Sequence, residues 1–389
     1  MDTLVSIIIP VYNGANYLRG AIDSALSQTY ANVEIIVVND GSTDDSESIA
    51  LSYGSKIRYF YKSNGGVSTA LNLGIKEMRG DYFSWLSHDD EYYPYRIEEQ
   101  ISALKRDGDM TKIVYGDWEI FDESDNSIKQ QIFKDIASEE KLSDSIYPVI
   151  RGFLQGCEIM IHKSHFERVG VFDENLRCIQ DTLMWFKLFR SQRLIYINRI
   201  LTRVRHHANQ VSITQSDKVA IEQEWYYLFL LESITVEEQR RIFGSSLWYL
   251  FRMWGKFINR GFSNDRLYED IQRESQKYRN CIAPILPDFS EIYIFPTGME
   301  CKSYYHLFTL LGIAVKGFID NDKRKQGKVV INELLCYDIS EIEKSKTIFV
   351  SGIFRKEISN QLNGLGYGSI ITDEMFEKAL AQTESNCRG

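Results

Sequence analysis

A chain of 389 residues, 44% hydrophobic and 25% charged, has the make-up of a soluble globular protein and room for two or three domains. Its net charge of -9 removes any bulk electrostatic case for nucleic acid and weakens general attraction to an anionic bilayer, although a local basic patch could still act. No apolar run approaches the ~20 residues that cross a bilayer as a helix, and the opening "MDTLVSIIIPVY" lacks the basic flank and length of a signal peptide.

"LVSIIIPVYN" is a β-branched apolar run broken by Pro10, the pattern of a buried strand ending in a loop. Leu18, Ile22, Ala25 and Leu26 then recur at helical spacing. "VEIIVVNDGSTDDS" predicts a second buried strand stopping at Asn39-Asp40-Gly41, with Ser42, Thr43 or Asp44 capping the next helix. "KIRYFYKS" is a third strand, "GGVSTALNLGIKEM" a loop entering a helix, and "GDYFSWLSHDD" a fourth strand. This alternation implies a mostly parallel sheet covered on both faces, with ligands at the carboxyl ends of its strands. Residues 110–210 are less regular: strand-like "KIVYGDWEIFD", then "GCEIMIHKSHFERVGVFDENL" and helical "DTLMWFKLFRSQ". Residues 215–285 read as aromatic-rich helices, "APILPDFSE" as a linker, and the remainder as a second, smaller α/β unit. The expected domains are 1–212, a helical extension 213–288, and 289–389.

Six cysteines (Cys157, Cys178, Cys281, Cys301, Cys336 and Cys387) are scattered without a CxxC pair. That argues against a zinc cluster or disulfide framework and fits a reducing cytosol. Asp40 and the Asp89-Asp90 pair end two strands of the first sheet. Any one of these is an ordinary turn residue. Together on one edge they suit a divalent cation, Mn²⁺ or Mg²⁺, bridging carboxylate to substrate phosphate, which would also relieve the repulsion between neighbouring acids.

The order "PVYN … NDGS … NGGVSTALN … SHDD" resembles the nucleotide-binding half of family 2 inverting glycosyltransferases, which have the GT-A fold, over roughly residues 3–212. The resemblance implies a nucleotide-sugar donor, with Pro10, Tyr12, Asn13, Asp40, Ser42, Asn64, Gly66 and His88 around the nucleotide and Tyr12 and Asp40 on the base. Leu71 stands where the family has Arg before Asn72, and Ser87 replaces the first Asp of the Leu-Asp-x-Asp-Asp motif. Asp89, Asp90 and His207 are the implied metal residues, His207 from "VRHHANQVS" with His206 as the register alternative. Gly156, Cys157, Gln180 and Trp185 are implied around the sugars, Gln180 replacing a family Glu. Trp185 reads more as core packing than as a sugar platform. Asp181 is the implied catalytic base, taking a proton from the acceptor hydroxyl, and its position also suits a helix N-cap.

The implied function is transfer of a sugar, from a UDP-sugar, to a glycan or lipid-linked saccharide in surface polysaccharide biosynthesis, in the cytoplasm or peripherally at the inner membrane face. The competing reading is a catalytically silent sugar-nucleotide or glycan-binding protein. In the C-terminal unit "FPTGMEC" keeps only Gly298 of a GxGxxG turn, and Asp320 follows 22 residues later, near the place of a ribose-binding acid. A structural or oligomerisation module is favoured there over a dinucleotide site. Arg252, Lys256 and Arg260 share one helical face beside Trp248, Phe251, Met253, Trp254 and Phe257. That pattern suits a helix packing one domain on another more than a membrane-surface helix.

Overall fold

The computed structural model describes residues 3–214, 216–258, 261–279, 281, 282, 286, 289–298, 300–352 and 354–386. Arg260, Met299, Cys387 and the linker residues 283–285, 287 and 288 lie outside the described residues. The chain divides into two compact units, residues 1–223 and 224–389.

The first unit runs β1 (Val5–Val11), α1 (Leu18–Leu26), β2 (Val33–Asn39), α2 (Ser46–Leu51), β3 (Arg58–Tyr61), α3 (Val67–Glu77), β4 (Tyr82–Trp85), β5 (Glu91–Tyr92) and α4 (Arg96–Asp107). It continues with β6 (Ile113–Asp122), β7 (Ser127–Gln131), α5 (Glu139–Leu142), α6 (Tyr147–Arg151), β8 (Met160–His162), α7 (Ser164–Val169), α8 (Gln180–Phe189), β9 (Leu194–His206), α9 (Val211–Thr214) and the start of α10 (Ser216–Ser233), whose residues from 224 onward belong to the second unit. The first unit's nine-stranded sheet has the order β3-β2-β1-β4-β8-β6-β9-β5, with β7 paired to β6. Strands β3, β2, β1 and β4 are parallel, as the alternation predicts. Beyond them β8 is antiparallel to both β4 and β6, so the second half of the sheet is mixed.

Every residue of β1 is buried, as a central parallel strand with helices on both faces requires. Burying each Ile or Val there contributes about 1.5–3 kcal/mol. Helix α3 lies close on this strand because Gly74 has no side chain: a Cβ would come 2.4 Å from Ile8. Leu71, one turn earlier on the same face, is fully buried, so the residue replacing the family Arg is a core contact. The register pairs Val11 with Asn39 and Asn39 with Tyr61, which brings the loops after β1, β2 and β3 to one edge.

Two expected caps differ. Helix α2 starts later, with Asp45 at the cap, and Asp44 instead accepts from the N–H of Ser46 and Ala15. Helix α8 is capped by Ile179, which places Asp181 inside the first turn rather than at the N-cap.

The second unit adds α11 (Val236–Phe243), α12 (Ser246–Ile258), α13 (Asp265–Tyr278), β10 (Glu291–Phe295), α14 (Cys301–Leu310), β11 (Ala314–Ile319), β12 (Val329–Ile331) and β13 (Leu334–Tyr337). It closes with β14 (Thr347–Val350), α15 (Arg355–Leu365), β15 (Ile370–Thr372) and α16 (Asp373–Asn386). Its sheet order is β12-β13-β11-β10-β14-β15, parallel except for the β12–β13 pair. Helix α12 packs against α11, α13, α14 and α16, and Trp248, Phe251, Met253, Trp254 and Phe257 are all buried there. Arg252 pairs with Glu300 at 3.3 Å, and Lys256 lies 5.3 Å from the centre of the Tyr227 ring. The apolar face that suggested a membrane surface is spent on packing within this unit. Among the described residues no helix is long and apolar enough to cross a membrane.

Candidate active site

The loops after β1 and β2 are laced by hydrogen bonds. Asn13, at φ 49°, donates its N–H to Ser42 Oγ at 2.9 Å, and its side-chain oxygen accepts from Thr43 N–H at 2.8 Å. Gly14 N–H bonds Ser46 Oγ at 3.0 Å. A Cβ on Gly14 would lie 2.1 Å from the His88 ring, so that glycine lets the loop carrying His88 sit against the first loop. Pro10 lies within β1, and Tyr12 beyond it is 49% exposed, free to meet a planar ligand.

Asp40 is 3% exposed. It accepts from Lys62 Nζ at 2.5 Å, from Gly65 N–H at 2.9 Å and from Gly66 N–H at 2.7 Å. The carboxylate thus shapes the turn that carries Asn64 and Gly66. From outside, Arg177 donates to the Gly65 carbonyl and packs where a Gly66 Cβ would stand. Asn72 ties the same region to the 172–174 loop, bonding both backbone groups of Phe172 and the Glu174 carboxylate at 2.9–3.0 Å.

Asp89 and Asp90 face different partners. Asp89 Oδ2 lies 3.1 Å from His207 Nε2. Burial works to raise this carboxyl, but the His207 hydrogen bond, with the His88 and His207 charges, outweighs it and holds Asp89 below the usual range. The Tyr17 ring sits 4.7 Å from that of His207, whose buried Nδ1 meets no hydrogen-bond partner. Asp90 is buried, accepting from Arg205 N–H at 2.9 Å and from Cys157 Sγ at 3.3 Å. Burial and then the Asp89 charge push Asp90 well above the ordinary carboxyl range. The Asp90 oxygens are therefore taken up by the protein, whereas the Asp89 carboxylate is paired with His207.

Arg205 fixes this turn. Its guanidinium donates to the Asp89 carbonyl at 3.1 Å, Glu91 at 2.9 Å and Glu123 at 3.0 Å, and Tyr17 OH also bonds Glu123 at 3.0 Å. Ser87 contributes no charge: its N–H and hydroxyl meet Cys157 Sγ at 3.1 and 3.2 Å. His206 turns away to Asp122 at 3.0 Å, so His207 is the histidine that stands beside Asp89.

Cys157 joins this turn to the segment that leads into β8. Gly156 allows the chain to cross the Trp85 indole, where a Cβ would lie 2.7 Å from the ring. Glu158 follows, fully buried, with Oε2 accepting from Gln155 N–H at 2.7 Å and Oε1 unpartnered. Burial, opposed by the Arg96 guanidinium, pushes its carboxyl up to about 7, and the charge of Asp181 adds to the rise. Asp181 is half-buried and accepts from Thr182 N–H at 2.7 Å and the Thr182 hydroxyl at 3.3 Å. Desolvation raises it, against those two bonds. Trp185 is buried 6.4 Å from Trp85 and 5.7 Å from Phe172, a core residue rather than an exposed sugar platform. Gln180 is buried as well, its side-chain oxygen unpartnered.

Sequence reasoning missed Arg177, Lys62, Arg205 and Glu158 as parts of this edge. Glu158 carried a signal, an acid inside the apolar run "GCEIMI". Arg177 carried none. Among the described residues no three His, Cys, Asp or Glu side chains group to hold a metal by themselves. A Mn²⁺ or Mg²⁺ ion bound jointly by substrate phosphates needs only one or two protein ligands. An ionised Asp89 beside His207 fits that requirement.

The crystal structure of S. aureus TarS matches with a TM-score of 0.50 at 18% identity, over 67% of this chain and 44% of TarS, a likeness of fold. Together with the parallel edge described above, it defines the GT-A class of α/β fold. Residues 6–170 match the model described as glycosyl transferase family 2. An uncharacterized glycosyltransferase of Rickettsia prowazekii (strain Madrid E) is 48% identical over 247 residues, 64% of this chain and 77% of that protein. A relative in Rickettsia bellii (strain RML369-C), also called an uncharacterized glycosyltransferase, is 39% identical over 346 residues. That match takes in 88% of this chain, which spans about half (47%) of the longer protein. The chain belongs to glycosyl transferase family 2.

Proposed function

We propose that this chain is an inverting, metal-dependent glycosyltransferase that moves a sugar from a UDP-sugar to a hydroxyl of a glycan or lipid-linked saccharide, in surface polysaccharide assembly. The observation that carries the reading is the mooring of the two halves of the edge. Arg177, just before the Asp181 helix, grips the Gly65–Gly66 turn that Asp40 shapes, and Cys157 bonds Asp90.

In this reading Tyr12 and Asp40 hold the base side of the donor, with Asn13, Ser42, Asn64, Gly66 and His88 around it. Asp89 and His207 hold Mn²⁺ or Mg²⁺, which when bound neutralises charge on the departing nucleoside diphosphate. The Asp181 carboxylate takes the acceptor hydroxyl proton as that oxygen bonds the anomeric carbon. The bond from that carbon to the diphosphate oxygen breaks on the opposite face, so configuration inverts. Desolvation makes Asp181 a stronger base, and its bonds to Thr182 keep it aimed. A cytoplasmic setting belongs to the same proposal; the five described cysteines are free thiols, a state that a reducing compartment keeps.

The test is transfer from UDP-sugars with Mn²⁺ present, with the product anomer read by NMR. An Asp181→Asn variant is expected to lose ~10²–10⁴-fold in kcat while still binding UDP. Near-normal transfer by that variant, or a retained anomer, ends the mechanism. Ser87, hydrogen-bonded to Cys157 where the family places a carboxylate, favours the second reading of a silent binder. Donor binding without turnover across acceptors would select it.

A further inference from the structure

In the second sheet the chain passes from β10 through β11 to β13 on one side, then crosses to β14 and β15 on the other. Carboxyl ends at such a reversal leave a crevice, the usual ligand position in open α/β sheets. A cavity of about 310 Å³ opens there, between the end of β10 at Phe295, the end of β11 at Asp320, and α15. We propose that this crevice binds a single nucleoside, its base against Phe354 and its ribose diol at Asp320. The proposal is independent of the transferase reading.

Size argues first. Ligand pockets run ~300–1,000 Å³, and this one is at the small end, room for one base and ribose but not for two nucleotides joined by pyrophosphate. Charge argues second. Among the described residues the lining carries the carboxylates of Asp320 and Glu357 and no cation. Lys325 nearby is committed to Asp320 at 2.8 Å and to the Thr297 carbonyl at 3.1 Å. Acceptor-rich walls suit hydroxyl and amine donors and repel phosphate.

Asp320 retains capacity for such a donor. Its Oδ2 accepts from Thr297 N–H, the Thr297 hydroxyl and Lys325, whereas among the described residues Oδ1 accepts only from Asp322 N–H at 2.9 Å. Burial works to raise this carboxyl, but Lys325 and Thr297 outweigh it and keep Asp320 ionised.

The remaining walls suit a planar base. Phe354 lines the cavity, is 60% exposed and has no aromatic partner among the described residues. Ile358 adds an apolar surface. Asn321 and Gln361 exchange reciprocal amide bonds at 3.0 and 3.2 Å, leaving each amide one further hydrogen and lone pair. A side-chain amide can pair with the edge of a base through such groups.

Calorimetric titration of the full chain with adenosine, uridine, their 2′,3′-dideoxy forms and methyl glucoside tests this, in wild type and in Tyr12→Ala, Phe354→Ala and Gln361→Ala variants. Phe354 and Gln361 are surface residues, so unchanged melting temperatures will certify folding. Binding of either nucleoside should persist in Tyr12→Ala, weaken ~10-fold or more in Phe354→Ala and Gln361→Ala, and weaken similarly for the dideoxy form. No nucleoside binding by the Tyr12→Ala protein at millimolar concentration, affinity unchanged in both crevice variants, or binding of the glucoside alone would overturn it.

Discussion

Glu158 and Asp181 are carboxyls that the fold makes reluctant to ionise, and the consequences differ between them. Glu158, pushed up to about 7, touches protein only, so its effect is on stability. A raised folded pKa means the native state binds the proton more tightly than the unfolded chain. Its contribution therefore favours the fold below the ordinary Glu value of ~4.3 and is lost as pH rises to about 7. Replacing Glu158 by Gln keeps an acceptor for Gln155 N–H and removes the ionisation. The variant should gain about 3 kcal/mol relative to wild type between pH 4 and pH 8, read from urea denaturation at both pH values. A constant difference across that range would show that Glu158 does not titrate in the fold. Asp181 has the same sign of shift but acts on substrate in the proposed mechanism, and it must be deprotonated to accept a proton. The kcat/KM profile should rise with pH on an acid limb centred above the ordinary Asp value of ~3.9. An acid limb at or below that value would contradict the role.

At the scale of elements, the β3–α3 turn is where the donor edge is most constrained. Gly66 sits at φ 92°, ψ 165°, a conformation open essentially to glycine, and Arg177 fills the place of a Cβ. Gly66→Ala should destabilise the chain by about 1–3 kcal/mol and weaken UDP binding, since Asp40 would lose its aligned donors. Urea denaturation and calorimetry check the two parts, and unchanged UDP affinity would separate this turn from donor binding. Strand β9 plays the opposite role, a long element whose end delivers Arg205 and His207 to the Asp89 turn. Helix α12 shows that an aromatic face edged with cations is also what a helix needs when buried among four others, with Arg252 on Glu300.

For the whole molecule, two compact units each have their own sheet and core. Differential scanning calorimetry should resolve two transitions. UDP with Mn²⁺ should raise the first unit's midpoint alone, by the ~2.7 kcal/mol that a ligand at 100-fold its Kd contributes. A single transition that moves as one with the ligand would mean that the units unfold together.

What the sequence determined by itself was local in origin. β-branched runs such as "SIIIPV" and "EIIVV" can be stable only as buried strands, so the parallel half of the first sheet and the edge bearing Asp40 and Asp89 were legible from residue order. The GT-A class was legible too, because its motifs sit in loops with fixed spacing. Tertiary structure alone decided that Asp90 turns inward to Cys157 and Arg205 while Asp89 meets His207. It decided the mixed register beyond β4, the cap of α8, and the grip of Arg177 on Gly65. The Asp89, Asp90 and Arg177 contacts depend on partners 67–118 residues away in the chain, and burial and charge at such distances are set by packing, which no local pattern encodes.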